Sequence, residues 1–169
     1  IANCVWIEML TLNNNYISNI TPLSQCILMK SLDLRGNQIS GIDALSPLLL
    51  LEMLWLNGNR MQSVEPLSTC LELIEVEMND NEISTLDPIM SPKLRKLYAI
   101  NNRISSIDFF ARFPKLRQLR LCINQISRVD ALAACTSLKS LDLQKNKILE
   151  FTPLVNLHLK ELCIQNNAV

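Results

Sequence analysis

The eleven residues LKSLDLQKNKI, Leu138 to Ile148, decide how this chain is read. Leucine stands at Leu138, Leu141 and Leu143, asparagine at Asn146 and isoleucine at Ile148. The spelling returns as MKSLDLRGNQI from Met29 to Ile39 and as LRQLRLCINQI from Leu116 to Ile126. Its asparagine falls at Asn15, Asn37, Asn59, Asn81, Asn102, Asn124, Asn146 and Asn167, with successive gaps of 22, 22, 22, 21, 22, 22 and 21 residues. Eight copies at one interval define a repeat array, and a solenoid in which each coil contacts only its neighbours follows from it.

Within one coil the residues alternate as a short strand does, so Leu32 and Leu34 point inward while Ser31 and Asp33 point outward. Strands of successive coils stack in parallel about 4.8 Å apart, which makes eight coils a sheet roughly 34 Å long. The asparagine follows the strand where the backbone must turn. Its amide both donates and accepts, so between coils it can satisfy loop N–H and C=O groups that burial would leave unpaired. Aspartate could only accept and leucine could do neither. Thr21-Pro22, Asp43-Ala44, Glu65-Pro66, Asp87-Pro88, Asp130-Ala131 and Thr152-Pro153 share a later slot. An oxygen-bearing residue before proline predicts a capped helix start, hence a short 3₁₀ turn on the convex side. Coil five is irregular: one residue is missing between Ile89 and Leu94, and Ala99 stands where other coils have leucine. Phe109, Phe110 and Phe113 in the next convex segment are expected to refill that core.

The pattern L-x-x-L-x-L-x-x-N-x-I, continued as x-x-I-x-x-L in Ile39, Ile42 and Leu45 and in Ile126, Val129 and Leu132, resembles the leucine-rich repeat family over the whole chain. Its short form resembles the subclass of the protein phosphatase 1 regulatory subunit and of the bacterial internalins. The resemblance implies an α/β solenoid: a right-handed leucine-rich-repeat superhelix, or horseshoe, with a concave parallel β-sheet and short 3₁₀ or helical turns on its convex side. It also implies a non-catalytic protein-interaction module, since members of this subclass serve phosphatases, ribonucleoproteins, or ciliary and dynein machinery. Ile1 falls partway through a convex segment and Val169 follows two residues after Asn167. Neither end reads as a polar cap, so residues 1–169 are expected to be one array of about eight repeats within a longer protein, whose flanking regions place it in a larger assembly.

Lysine plus arginine and aspartate plus glutamate both number 16, so no net field draws nucleic acid or an anionic membrane. No apolar run is long enough to span a bilayer. Of six cysteines, Cys4, Cys26, Cys70 and Cys135 each lie eleven residues before an array asparagine, in a slot that Leu48 and Phe113 fill elsewhere. That slot is apolar, and a free cysteine suits it as a small hydrophobe. Only Cys4 and Cys26 lie on adjacent coils. With no C-x-x-C pair and His158 as the sole histidine, no zinc quartet is spelled. Several unpaired thiols point to a reducing, intracellular setting, the cytoplasm. No nucleophile elbow, P-loop or dinucleotide glycine pattern occurs, so neither an enzyme nor a cofactor site is expected.

What the fold leaves free is the concave face. Its central column reads Thr11, Asp33, Trp55, Glu77, Tyr98, Arg120, Asp142, Cys163, and the column two residues earlier reads Met9, Ser31, Met53, Glu75, Lys96, Gln118, Ser140, Glu161. Trp55 and Met53 form an expected apolar patch, Glu52, Glu75 and Glu77 an acidic block, and Arg95, Lys96, Arg117 and Arg120 a basic block around Tyr98. Aromatic rings rimmed by charge are what binding hot spots are made of. The expected partner is therefore a protein, held by Asp33, Met53, Trp55, Glu75, Glu77, Lys96, Tyr98, Arg117, Arg120 and Asp142. Pairing of Glu77 with Tyr98 and Arg120 across the sheet is the competing use of those charges, whereas Trp55 is expected to have no such pairing role. The run Asp33, Trp55, Glu77, Tyr98 also resembles the acid and aromatic order on the concave face of the phosphatase-1 regulatory subunit. The spelling Ile-x-Pro-Leu at Ile20 to Leu23, with Val64 to Leu67, resembles a cell-surface adhesin of the internalin type.

Overall fold

The computed structural model describes residues 5–168. Eight three-residue strands follow one another in the order of the sequence: β1 (Met9–Thr11), β2 (Ser31–Asp33), β3 (Met53–Trp55), β4 (Glu75–Glu77), β5 (Lys96–Tyr98), β6 (Gln118–Arg120), β7 (Ser140–Asp142) and β8 (Glu161–Cys163). They form one parallel sheet, each pairing with the next in strict register. The architecture is the expected leucine-rich-repeat solenoid. The inward side chains Leu32, Leu54, Val76, Leu97, Leu119 and Leu141 are fully buried, while Leu162, with a neighbouring strand on one side only, is 41% exposed. Leu10 at the other end is half-buried for the same reason.

The asparagine ladder has the predicted chemistry in seven of its eight members. Asn59 is typical: its Nδ2 donates to Leu34 O in the previous coil and to Leu56 O in its own, each at 3.0 Å, and its Oδ1 accepts from Ile39 N–H at 3.0 Å. Asn37, Asn81, Asn102, Asn124, Asn146 and Asn167 repeat this bridge. Asn15 is exposed and bonds only the nearby Leu12 and Asn13 carbonyls. The residue before each ladder asparagine is in the left-handed region: Asn14, Gly36, Gly58, Asp80, Asn101, Ile123, Lys145 and Asn166. That conformation aims the amide into the stack. Ile123, at φ 58°, is the strained member, since a β-branched residue rarely adopts it.

The convex side differs from expectation in two ways. Short 3₁₀ segments form at Thr21–Gln25, Asp43–Leu45, Glu65–Thr69, Asp108–Arg112, Asp130–Ala134 and Thr152–Leu154, but none forms at Asp87-Pro88 in the shortened coil five. Nor do Thr21, Asp43, Glu65, Asp130 or Thr152 cap these turns; each is the first helical residue, and no side-chain cap bond is made. The side chain two positions earlier accepts instead: Asn19 Oδ1 from Thr21 N–H, Ser63 Oγ from Glu65 N–H and Ser106 Oγ from Asp108 N–H. These are Asx and Ser turns, which tighten the entry without capping it. Pro22, Pro66 and Pro153 still fix the first turn, as expected.

Phe110 and Phe113 are fully buried and Phe109 nearly so, with ring centroids 4.8–6.3 Å apart. They belong to the one core that runs through the stack and also holds Ala99. Arg112, at the end of that 3₁₀ segment, reaches back to the coil that lacks one. It donates to Asp87 O at 3.1 Å, pairs with the Asp87 carboxylate at 3.7 Å and lies over the Phe109 ring. Cys26, Cys70 and Cys135 are buried in the apolar slot beside Leu48 and Phe113; Cys4 lies outside the described residues. In coil five Ser91 takes that slot, with Oγ 2.7 Å from the carbonyl oxygens of both Leu71 and Leu73.

Candidate protein-binding face

Because the coils are in register, outward positions line up as columns. Asp33 lies beside Trp55, Trp55 beside Glu77, Glu77 beside Tyr98, Tyr98 beside Arg120 and Arg120 beside Asp142. The second column runs Met53, Glu75, Lys96, Gln118, Ser140. The two columns are tied together diagonally. Trp55 is half-buried, and its indole N–H donates to Glu75 Oε1 at 3.1 Å. The other Glu75 oxygen is 2.9 Å from Lys96 Nζ, which raises the ammonium pKa through that hydrogen bond. The Tyr98 hydroxyl bonds Gln118, and the Arg120 guanidinium lies over the Tyr98 ring, 4.9 Å from its centroid. Glu77 accepts from Asn57 Nδ2 at 2.8 Å.

Several expectations about single residues change. Asp33 does not offer a free carboxylate: it is only 6% exposed, and Arg35 grips it through Nε at 2.9 Å and Nη2 at 2.6 Å. A short side chain between a tryptophan on the next strand and an arginine two residues on has little route to solvent. The Arg35 hydrogen bond holds the Asp33 carboxyl below the usual carboxylate range, against the upward push of burial. Ser31 is buried likewise. Trp55 does have a pairing role, toward Glu75, and Arg35 approaches its ring at 6.0 Å. Glu77 is held by Asn57, not by Tyr98 and Arg120. Met53 is half-buried, so its patch with Trp55 is only partly open. Asp142 is half-buried and accepts from Gln144 N–H at 3.1 Å. Burial first, then the Asp142 charge, push the neighbouring Cys122 thiol up to about 11.

The basic block divides. Lys96 and Arg120 belong to the tied network, but Arg95 and Arg117 precede their strands and stand exposed on the edge where the chain enters the sheet. A third column, two residues before the ladder, escaped the sequence reading. There Asn57 Oδ1 accepts from Asn79 N–H at 2.8 Å and Asn79 Oδ1 from Ile100 N–H at 2.9 Å. The spellings Asn57-Gly58-Asn59 and Asn79-Asp80-Asn81 carried that signal. Among the described residues no group of three His, Cys, Asp or Glu is placed to hold a metal, and no helix is long and apolar enough to cross a membrane.

Family models for "Leucine Rich repeats (2 copies)" match residues 92–133 and 114–156, and one for "Leucine Rich repeat" matches residues 25–46; together they take in just over half of the chain. None of the curated proteins matches it. An internalin from Listeria monocytogenes is 27% identical, with a TM-score of 0.78, covering 98% of this chain and 56% of its own length. Internalin C2 of the same species is also 27% identical, with a TM-score of 0.87 and coverage of 96% and 70%. A plant peptide hormone receptor in complex with RGF2 shares the fold at 22% identity, with a TM-score of 0.85 and coverage of 95% and 28%. The chain thus spans little more than half of the first internalin and about a quarter of the receptor.

Proposed function

Because this chain belongs to the leucine-rich repeat family, we propose that it is a non-catalytic interaction scaffold whose concave face holds a protein partner, with Trp55 and Tyr98 as anchors. One observation supports the placement above the others. Side-chain bonds running from β3 to β6 hold two aromatic rings, half-buried, in fixed orientations on a face that is polar apart from Met9, Met53 and Cys163. Rings held in place before contact lose little side-chain freedom on binding, and a polar rim around them keeps water from the contact. Glu77, Lys96 and Arg120 are then rim groups. The plant receptor's complex with RGF2 supports a peptide or protein as the class of partner.

The test is quantitative affinity purification with the chain and with a Trp55→Ala, Tyr98→Ala double variant of unchanged melting temperature. The reading expects the specific partner to be lost from the variant. Equal recovery by both forms would place the site elsewhere.

Two narrower readings follow. As a phosphatase regulatory subunit, the chain would present acid and aromatic residues in alternation, but the burial of Asp33 under Arg35 removes the first of the four positions. Direct binding to a phosphatase catalytic subunit decides that reading. An internalin-type surface adhesin is supported by the 27% identity to two internalins. An intracellular, cytoplasmic role is supported by the free thiols of Cys26, Cys70, Cys122, Cys135 and Cys163. Thiol titration of unreduced, denatured protein separates the two: a full count of thiols goes with the cytoplasm, few or none with the cell surface.

A further inference from the structure

The residue directly before the strand is basic in each of the last four coils: Arg95, Arg117, Lys139 and Lys160. Backbone hydrogen bonds join these four residues to one another. Arg117 N–H donates to Arg95 O at 2.8 Å, Lys139 N–H to Arg117 O at 2.9 Å and Lys160 N–H to Lys139 O at 2.8 Å. The cations therefore start from a straight row, about 4.8 Å per coil and roughly 14 Å from first to last. Lys115, exposed two residues before Arg117, widens the row; Arg95, Lys115, Arg117 and Ser137 line one shallow depression, and Arg117, Ser137, Lys139 and Lys160 line the next. Among the described residues no ion pair involves any of these five cations. The nearest carboxylate in sequence, Glu161, accepts from Ser140 Oγ instead, at 2.6 Å.

The same edge has another character in the first four coils. The position before the strand reads Glu8, Lys30, Glu52, Ile74, with Lys30 paired to Glu8 at 2.8 Å. Three residues before Lys30, Glu52 and Ile74 stand Ile27, Leu49 and Leu71, one per coil and each about half exposed. So one continuous edge carries an apolar row and then a row of unneutralised cations, in a chain whose total charge is zero.

We propose that this entry edge is a second binding surface, distinct from the concave face, and that it takes an acidic polypeptide segment. Its carboxylates lie against Arg95, Arg117, Lys139 and Lys160, and its apolar side chains reach back to Leu71 and Leu49. Charge complementarity selects an anion, and the rest of the edge selects which one. A single-stranded nucleic acid needs aromatic platforms for its bases, and the lining of the basic depressions has none. Of the glutamates on the same edge, Glu8 is paired to Lys30 and Glu72 to Lys93, and Glu52 is half-buried, so an anionic membrane is the rival that the vesicle arm of the experiment decides. A polypeptide uses both the cations and the apolar row.

The experiment is fluorescence anisotropy of a labelled peptide, Glu-Glu-Leu repeated four times, titrated with the 169-residue chain at low salt. A single-stranded oligonucleotide of equal charge and phosphatidylserine vesicles serve as rival ligands. The peptide is expected to bind more tightly than either rival, to weaken with salt, and to lose at least roughly tenfold in affinity in an Arg117→Glu, Lys139→Glu variant. Trp55→Ala with Tyr98→Ala should leave it unchanged, so failure here and failure of the concave site read out separately. Should the reversal variant unfold, Arg117→Gln with Lys139→Gln, which adds no charge, decides in its place. Tighter binding of the oligonucleotide or the vesicles, or peptide affinity indifferent to both double variants, overturns the proposal.

Discussion

Between Met29 and Ile83 the coils are uniform. Their cores are leucine, valine, methionine and isoleucine with Cys70 and Ala44, their left-handed positions are Gly36, Gly58 and Asp80, and most of their concave polar groups are tied to neighbours. Beyond Ile83 the same stack is built from poorer material. One 3₁₀ turn is missing, Ala99 replaces a leucine, three phenylalanines crowd the next coil, Ile123 is forced into the left-handed region, and five cations along one edge take part in no ion pair among the described residues. Yet the amide ladder and the sheet register pass through the change without a break. The difference teaches that nearest-neighbour packing and the ladder carry the fold, while other positions are free to drift or to serve binding.

That comparison can be broken most forcefully at Phe110. Phe110→Ala should cost about 4 kcal/mol in urea unfolding, because a fully buried ring packed against Phe109 and Phe113 leaves a cavity that its neighbours fill only in part. A much smaller loss would mean that the phenylalanine cluster does not support the rear half.

The ladder should behave alike in both halves. Asn59→Ala and Asn124→Ala should each cost about 2–3 kcal/mol: each leaves one buried N–H, of Ile39 or Ile104, without a partner and removes an amide donor from two carbonyls, of which Leu34 O, Leu56 O and Leu121 O keep a second donor from Asn37, Asn81 and Asn146. Asn15→Ala, at an exposed end, should cost under about 1 kcal/mol. Unequal losses at Asn59 and Asn124 would show the two halves to be held differently.

Asp33→Asn weakens the Arg35 grip and should cost about 1–2 kcal/mol at neutral pH. The folded-state pKa of Asp33 is lowered, so its contribution is fully present above the unfolded value near 3.9 and fades as pH falls through the folded value. The gap between wild type and variant should therefore close below about pH 4, and a gap that persisted there would exclude the charged form as its cause.

The smallest effects have opposite signs in the two halves. Gly58→Ala introduces a Cβ at φ +66° without a close contact, so backbone strain alone should destabilise by about 1 kcal/mol. Ile123→Asn relieves strain at a partly exposed site and should stabilise by about 0.5–1 kcal/mol. Thermal melts of the two variants check both.

Much of the molecule was legible because the repeat states its geometry eight times. The spacing of Leu32, Leu34 and Asn37, read against its copies, located all eight strands and the ladder. The buried slot of Cys26, Cys70 and Cys135 was legible from its alternation with Leu48 and Phe113. The cap assignment failed because Thr21 and Asp43 were read one turn position too early. Sequence spacing does not say whether an oxygen sits before the first helical residue or on it.

The sequence by itself determined the period, the parallel stack and the columns of the inner face, because alternation and a fixed interval leave one way to bury eight sets of leucines. Only the tertiary structure decided which outward groups are free. Whether Asp33 meets solvent or Arg35, whether Trp55 stands alone or bonds Glu75, and whether Arg117 joins the concave face or the edge depend on how long side chains, of one coil or of adjacent coils, fold over one another. Asp33 and Arg35 are two positions apart and Trp55 and Glu75 twenty, but both contacts are made through flexible arms, and no periodicity in the chain encodes their direction.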